Sequence, residues 1–154
     1  MQAPEARIDV QYAVNTDGIP APELLRHWVD CALQDRRPAA ELAVRIVDEA
    51  EMTALNRQYR GKDGVTNVLS FPFVAMPGIE TEQLGDIVVC APVVAAEAVT
   101  QGKPLEAHWA HIVVHGALHL LGYDHHHDEE AQAMESRETR LLASLGFPDP
   151  YQPD

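Results

Sequence analysis

Apolar and polar positions alternate in short stretches and recur at helical spacing in longer ones, a pattern that predicts a mixed α/β domain. Ile8 to Val14 alternates and predicts a first strand, followed by a turn over Asn15 to Pro20. Pro22 suits the first turn of a helix whose inward stripe is Leu24, Leu25, Trp28, Val29, Ala32 and Leu33; Arg36-Arg37-Pro38 ends it. Leu42 to Val47 alternates again, with Leu42, Val44 and Ile46 on one side. Asp48 suits the cap of a helix through Tyr59, with Met52, Leu55 and Tyr59 as its buried positions. Beyond a loop over Gly61 to Gly64, Asn67 to Phe71 predicts a short strand stopped by Pro72. Val74 to Gln83 carries Pro77 and Gly78 and predicts an irregular excursion.

Gly85 to Cys90 is a strand whose apolar run suits cover on both faces, and Ala91 to Thr100 is a helix after Pro92. Pro104 opens a helix that runs through His119. A last helix, Asp128 to Leu145, turns Ala131, Met134, Leu141, Leu142 and Leu145 inward before Gly146 ends it. The tail over residues 147–154 holds Pro148, Pro150 and Pro153 and is expected to be loose. The expected fold is therefore α/β (α+β): one domain over residues 1–154, a mixed sheet of about four strands and about five helices.

Composition narrows the function classes. With 11 Lys plus Arg against 24 Asp plus Glu, the net charge is −13, which argues against coating nucleic acid by bulk charge. A local basic cleft or a bound metal ion remains compatible with that balance. Cys31 and Cys90 lie far apart among apolar neighbours and read as free, buried thiols rather than a disulfide. Residues 1–14 carry Glu5, Arg7 and Asp9 and lack a signal-peptide core, and the apolar run Ile87 to Ala96 is too short to span a bilayer. A cytoplasmic protein without a membrane segment is expected.

The chemistry concentrates in His115-Gly116-Ala117-Leu118-His119-Leu120-Leu121-Gly122-Tyr123-Asp124-His125. On a helix, His115 and His119 project from one face, one turn apart. Gly122 supplies a positive-φ residue that turns the chain back, so that His125 can face the first two. A lone helical histidine is usually a core or surface residue, but the pair, the turn and the third histidine together predict a metal centre with a position open for water. Three neutral imidazoles suit zinc, one ion per chain, and such an ion acidifies a bound water to a pKa of about 7. His126 and His127 could in principle replace His125, which is preferred for its spacing. His108 and His111 lie on nearly the same helix face, as cleft-lining, supporting or simply packing residues; Asp124 either orients a ring or finishes the turn. The order His-x3-His-x2-Gly-x2-His is that of the long zinc-protease motif and predicts a zincin-like helix. Gly116 stands where those proteases carry their general-base glutamate.

The same residues resemble the signature of the YbeY family of bacterial rRNA-maturation endoribonucleases. Leu55-Asn56 with Tyr59-Arg60, then Thr66-Asn67-Val68-Leu69-Ser70-Phe71-Pro72, then Leu84-Gly85-Asp86-Ile87 fit its other blocks in order, so the likeness spans about Leu42 to Gly146. Asn67 stands where many members have Asp. The resemblance implies a zinc-dependent, single-strand-specific endoribonuclease acting in 16S rRNA 3′-end maturation and ribosome quality control. It implies His115, His119 and His125 as zinc ligands, His115 within the catalytic centre, and Arg60 as the important arginine. An arginine at a helix end is otherwise an ordinary solvated charge; opposite a phosphodiester its guanidinium can bind two phosphoryl oxygens at once. Arg57 and Lys62 could extend a small basic patch, and Thr66 and Ser70 are weaker candidates for facing substrate.

Two rivals accompany this reading. One is a metalloprotease-like hydrolase on the same scaffold, disfavoured by Gly116; the other is a non-enzymatic ribosome-assembly factor with structural zinc. The expected partners are single-stranded rRNA and the ribosome or its small-subunit proteins. The acidic surface suits protein partners, including a ribosome-associated GTPase, at least as well as bare RNA.

Overall fold

Alternation along the second strand determines which sheet face becomes the core. Leu42, Val44 and Ile46 are at most 5% exposed and point one way, whereas Arg45 points the other. The computed structural model, which describes residues 6–123 and 127–151, has the order β1 (Arg7–Tyr12), α1 (Pro22–Leu33), β2 (Glu41–Val47), α2 (Glu49–Arg60), β3 (Val68–Pro72), β4 (Gln83–Cys90), α3 (Ala91–Gln101), α4 (Leu105–Leu120) and α5 (Asp128–Ser144). The expected single mixed α/β domain is what forms. Among the described residues the sheet has four strands in the order β1-β2-β4-β3. The first three strands run parallel, and β3 lies antiparallel to β4 at the edge.

Helices α1 and α4 pack on the face made by Leu42, Val44, Ile46, Ile87 and Val89, and α5 packs outside α4. Helix α2 covers part of the other face through Met52, against Val47, Leu69, Val88 and Cys90. Its cap is as predicted, the Asp48 carboxylate accepting the Glu51 N–H at 2.8 Å. Its last turn differs from expectation. Tyr59 is 59% exposed, because α2 covers only part of that sheet face; the ring packs edge-on to Phe71, centroids 5.1 Å apart, and borders an open cavity over Ala43, Asp86 and Val88. Asn56 is buried instead and donates to the Gly64 carbonyl. Pro72 ends β3 from within it, a position that an edge strand tolerates because the missing N–H forfeits no ladder bond to a further strand.

The segment after α5 is tied down rather than loose as far as Tyr151. Phe147 donates its N–H to the Leu142 carbonyl and sets its ring edge-on to Trp28, and Lys103 Nζ donates to the Pro150 carbonyl at 3.0 Å. Residues 152–154 lie outside the described residues. Both cysteines are free thiols whose pKa values burial raises; Cys90 is buried and Cys31 partly so. No helix among the described residues is long and apolar enough to cross a membrane.

Gly85 decides how closely α4 approaches the sheet edge. Its φ is +144°, and a Cβ there would stand 2.2 Å from the Phe71 carbonyl oxygen and 3.0 Å from Leu120 Cδ2. Gly85→Ala combines backbone strain with overpacking and is expected to cost about 3 kcal/mol, a fall of roughly 6–12 °C in Tm by thermal denaturation. An unchanged Tm would show that the contact is not tight.

Candidate metal centre

Helix α4 is apolar over most of its circumference. Trp109, Ala110, Val113, Val114, Ala117 and Leu118 are buried, which leaves one narrow polar stripe: His108, His111, His115 and His119. Steps of three and four residues place each ring against the next, with centroids 6.2, 6.3 and 4.6 Å apart. The helix then ends as its glycine predicts. Gly122 takes φ +101° and donates to His119 O at 3.0 Å, while Tyr123 N–H donates to Leu118 O at 3.0 Å, a Schellman motif. The chain therefore reverses immediately after His119. Asp124, His125 and His126 lie outside the described residues; His127 is at the N-cap of α5.

The Nε2 atoms of His115 and His119 are 3.1 Å apart. Two imidazole nitrogens on one tetrahedral metal, with bonds of 2.0–2.1 Å, would be separated by roughly 3.3 Å. The other side of the His115 ring is engaged: Nδ1 lies 2.6 Å from Glu138 Oε1, on α5. Glu138 Oε2 lies 2.9 Å from His111 Nε2 and accepts the hydroxyl of Tyr151. His111, His115 and Glu138 present ligand atoms within 4.8 Å of one another, a His–His–Glu group that could hold a metal ion. Its nitrogen–oxygen separations are hydrogen-bond lengths, shorter than the spacing of co-ligands. The pair of Nε2 atoms is the better match to a metal, with Glu138 behind it.

Glu138 is 0% exposed. Burial pushes its pKa up, but hydrogen bonds from His111, His115 and Tyr151 outweigh that and hold it at about 2. Burial, reinforced by the Glu138 charge, raises the Tyr151 hydroxyl above its usual range. Sequence reading missed Glu138, although its position signals it. It lies four residues after Met134 and three and four before Leu141 and Leu142, so it occupies a core position in the α5 stripe.

His108 belongs to a separate cluster. It is 2% exposed, and its Nε2 lies 2.9 Å from Glu97 Oε1; burial lowers its pKa against the opposing pull of that carboxylate. Asn67 donates its amide to the same carboxylate, at 3.1 and 3.3 Å. The amide suits this chain, because an aspartate there would set two negative charges together.

Arg60 ends α2, on the sheet face opposite α4, and is exposed with no hydrogen bond or ion pair among the described residues. The two helices nonetheless finish at the same end of β3. Tyr59 meets Phe71, and Leu120 lies against Gly85, the partner of Pro72. Arg57 pairs with Asp63 at 3.2 Å, which leaves Lys62 as the flanking charge. Thr66 is half-buried. Ser70 does not face open solvent; its hydroxyl donates to the Gly116 carbonyl at 3.0 Å and ties β3 to α4 beside His115.

A family model described as endoribonuclease YbeY matches residues 11–146. The chain belongs to the endoribonuclease YbeY family. The match begins upstream of the sequence blocks, in β1. The solution structure of TM1509 from Thermotoga maritima is similar with a TM-score of 0.64 and 26% identity, over 94% of this chain and 99% of that one.

In this YbeY-family chain Gly116 is a packing residue. A Cβ there would meet Ile87 Cγ2 at 2.9 Å, with Ser70 Oγ and Val68 Cγ2 at 3.4 Å. The position that carries a glutamate in zinc proteases faces the sheet here and has no room for one. Gly116→Ala is expected to lose about 1–3 kcal/mol in denaturant unfolding. Gly116→Glu should lose more, and a Glu variant as stable as the parent would contradict the packing role.

Proposed function

We propose that this YbeY-family protein is a zinc-dependent endoribonuclease that cleaves single-stranded RNA in 16S rRNA 3′-end maturation and ribosome quality control. The observation that carries the reading is the convergence of His115 Nε2 and His119 Nε2 at 3.1 Å, on a helix whose family match is to an endoribonuclease. The donor set fits zinc: two imidazoles whose rings are half-buried, with His125 completing the set by its spacing from the Gly122 turn. Bound there, zinc supplies Lewis acidity and a water acidified toward neutral pH. The rest falls to the protein. His115 and His119 hold the site at the margin of β3, where an extended RNA strand can reach it. Arg60, at the same end of that strand, binds phosphoryl oxygens through two N–H groups as charge builds on them.

The protease alternative loses support from Gly116, whose surroundings exclude the missing base. A structural zinc site would be closed by four protein ligands; the partial exposure of His115, 25%, favours a site that admits substrate. The net charge of −13 makes steering of RNA by the whole surface unfavourable. Recruitment through ribosomal proteins or a ribosome-associated GTPase fits that balance.

Single-stranded rRNA incubated with metal-replete protein should be cleaved, with about one zinc per chain. His115→Ala, prepared identically, should lose both metal and cleavage. Arg60→Ala should retain zinc and fold while cleavage falls about 10²–10³-fold. Equal cleavage by the parent and His115→Ala would remove the activity from this site, and undiminished cleavage by Arg60→Ala would remove the arginine.

A further inference from the structure

We propose that Glu138 is the positioning residue of the metal centre and that Tyr151 is its clasp, so that the C-terminal segment is a working part of the site. The inference rests on the metal reading above and concerns residues outside the ligand set. Glu138 occupies a core position of α5, alongside the apolar Met134, Leu141 and Leu142. A fully buried carboxylate costs several kcal/mol unless every acceptor site finds a donor. Joining α5 to α4 is not sufficient reason to place one there.

The donors explain the choice. An ionised carboxylate only accepts, so the 2.6 Å contact places the proton of His115 on Nδ1. In the neutral form that a metal binds, the lone pair is then on Nε2, at the ring edge that faces His119 Nε2. Glu138 thus selects both the tautomer and the rotation of His115 that a metal requires. Its second oxygen, Oε2, takes donors from His111 and from the Tyr151 hydroxyl, which leaves Oε1 to His115. Three donors fix the carboxylate in plane and in position. One of them arrives from beyond α5, on a segment anchored by Lys103 and Phe147. Removing the Tyr151 hydroxyl therefore acts on His115 through one intermediate group.

The test uses the full chain and its Tyr151→Phe, Glu138→Gln and Glu138→Ala variants. Zinc affinity is measured by competition with a chelator, geometry by the visible spectrum of the cobalt(II)-loaded protein, and folding by melting without metal. Parent protein should bind one zinc. Tyr151→Phe and Glu138→Gln should bind it about 10–100-fold more weakly, with altered cobalt band intensity and a metal-free Tm close to the parent's. Glu138→Ala should be weaker than Glu138→Gln, which keeps an acceptor for Nδ1–H. Should Glu138→Ala fail to fold, Tyr151→Phe still carries the test, since it deletes one oxygen atom. Parent-like affinity and spectra in Tyr151→Phe and Glu138→Gln would overturn the inference and leave the metal reading intact. Complete loss of cobalt binding in Glu138→Gln would make Glu138 a ligand, which also overturns it. A parent protein that binds no zinc would instead overturn the metal reading itself.

Discussion

The close approach of α4 to the β3–β4 edge is the constraint on which the rest of the site depends. Two glycines permit it. Without a Cβ at Gly116, Ile87 and Val68 pack directly on the helix backbone, and without one at Gly85 the Phe71 carbonyl and Leu120 share one small space. The Ser70 hydroxyl then pins the Gly116 carbonyl. A helix held this tightly, with its other positions filled by Trp109, Val113, Ala117 and Leu118, has only one rotation about its axis. That rotation turns Gly116 to the sheet and His111 and His115 toward Glu138 on α5, with the His119 ring beside that of His115. The row of histidines is a consequence of helix packing before it is a matter of ligand chemistry.

Charge gives the arrangement its direction. The chain is acidic overall, yet the Glu138 carboxylate that touches His115 is buried, ionised and engaged on both oxygens. Its negative charge faces the donors of His111, His115 and Tyr151 rather than solvent. On the far side of β3, Arg60 provides positive charge without a competing ion pair among the described residues, whereas Arg57 beside it is neutralised by Asp63. An acidic protein can act on a polyanion when its positive charge is confined to where phosphate must lie.

Local features of the fold were legible because they have local causes. The α2 cap at Asp48, the Gly122 reversal and the period-2 face of β2 follow from a few neighbouring residues, and all take the form their spacing predicts. The histidine stripe was equally legible, as four residues on one helix. What escaped depends on distant contacts. Tyr59 looked like a core position because its spacing is right, but α2 leaves the sheet face open beneath it. Tyr151 sits in a proline-rich tail whose anchoring comes from Lys103, Leu142 and Glu138 on other elements. Glu138 carried a readable signal, a charge inside an apolar stripe, which a search for apolar residues alone passes over. Helices α2 and α4 finish at the same end of β3, on opposite faces of the sheet, a relation between distant sequence blocks that only the sheet order reveals.

The most direct measurement is anomalous diffraction at the zinc absorption edge from crystals of the zinc-loaded protein. The account predicts a single strong peak about 2.0–2.1 Å from both His115 Nε2 and His119 Nε2, with Glu138 still bound to His115 Nδ1. A peak enclosed by His111, His115 Nδ1 and Glu138, or none on α4, would contradict it.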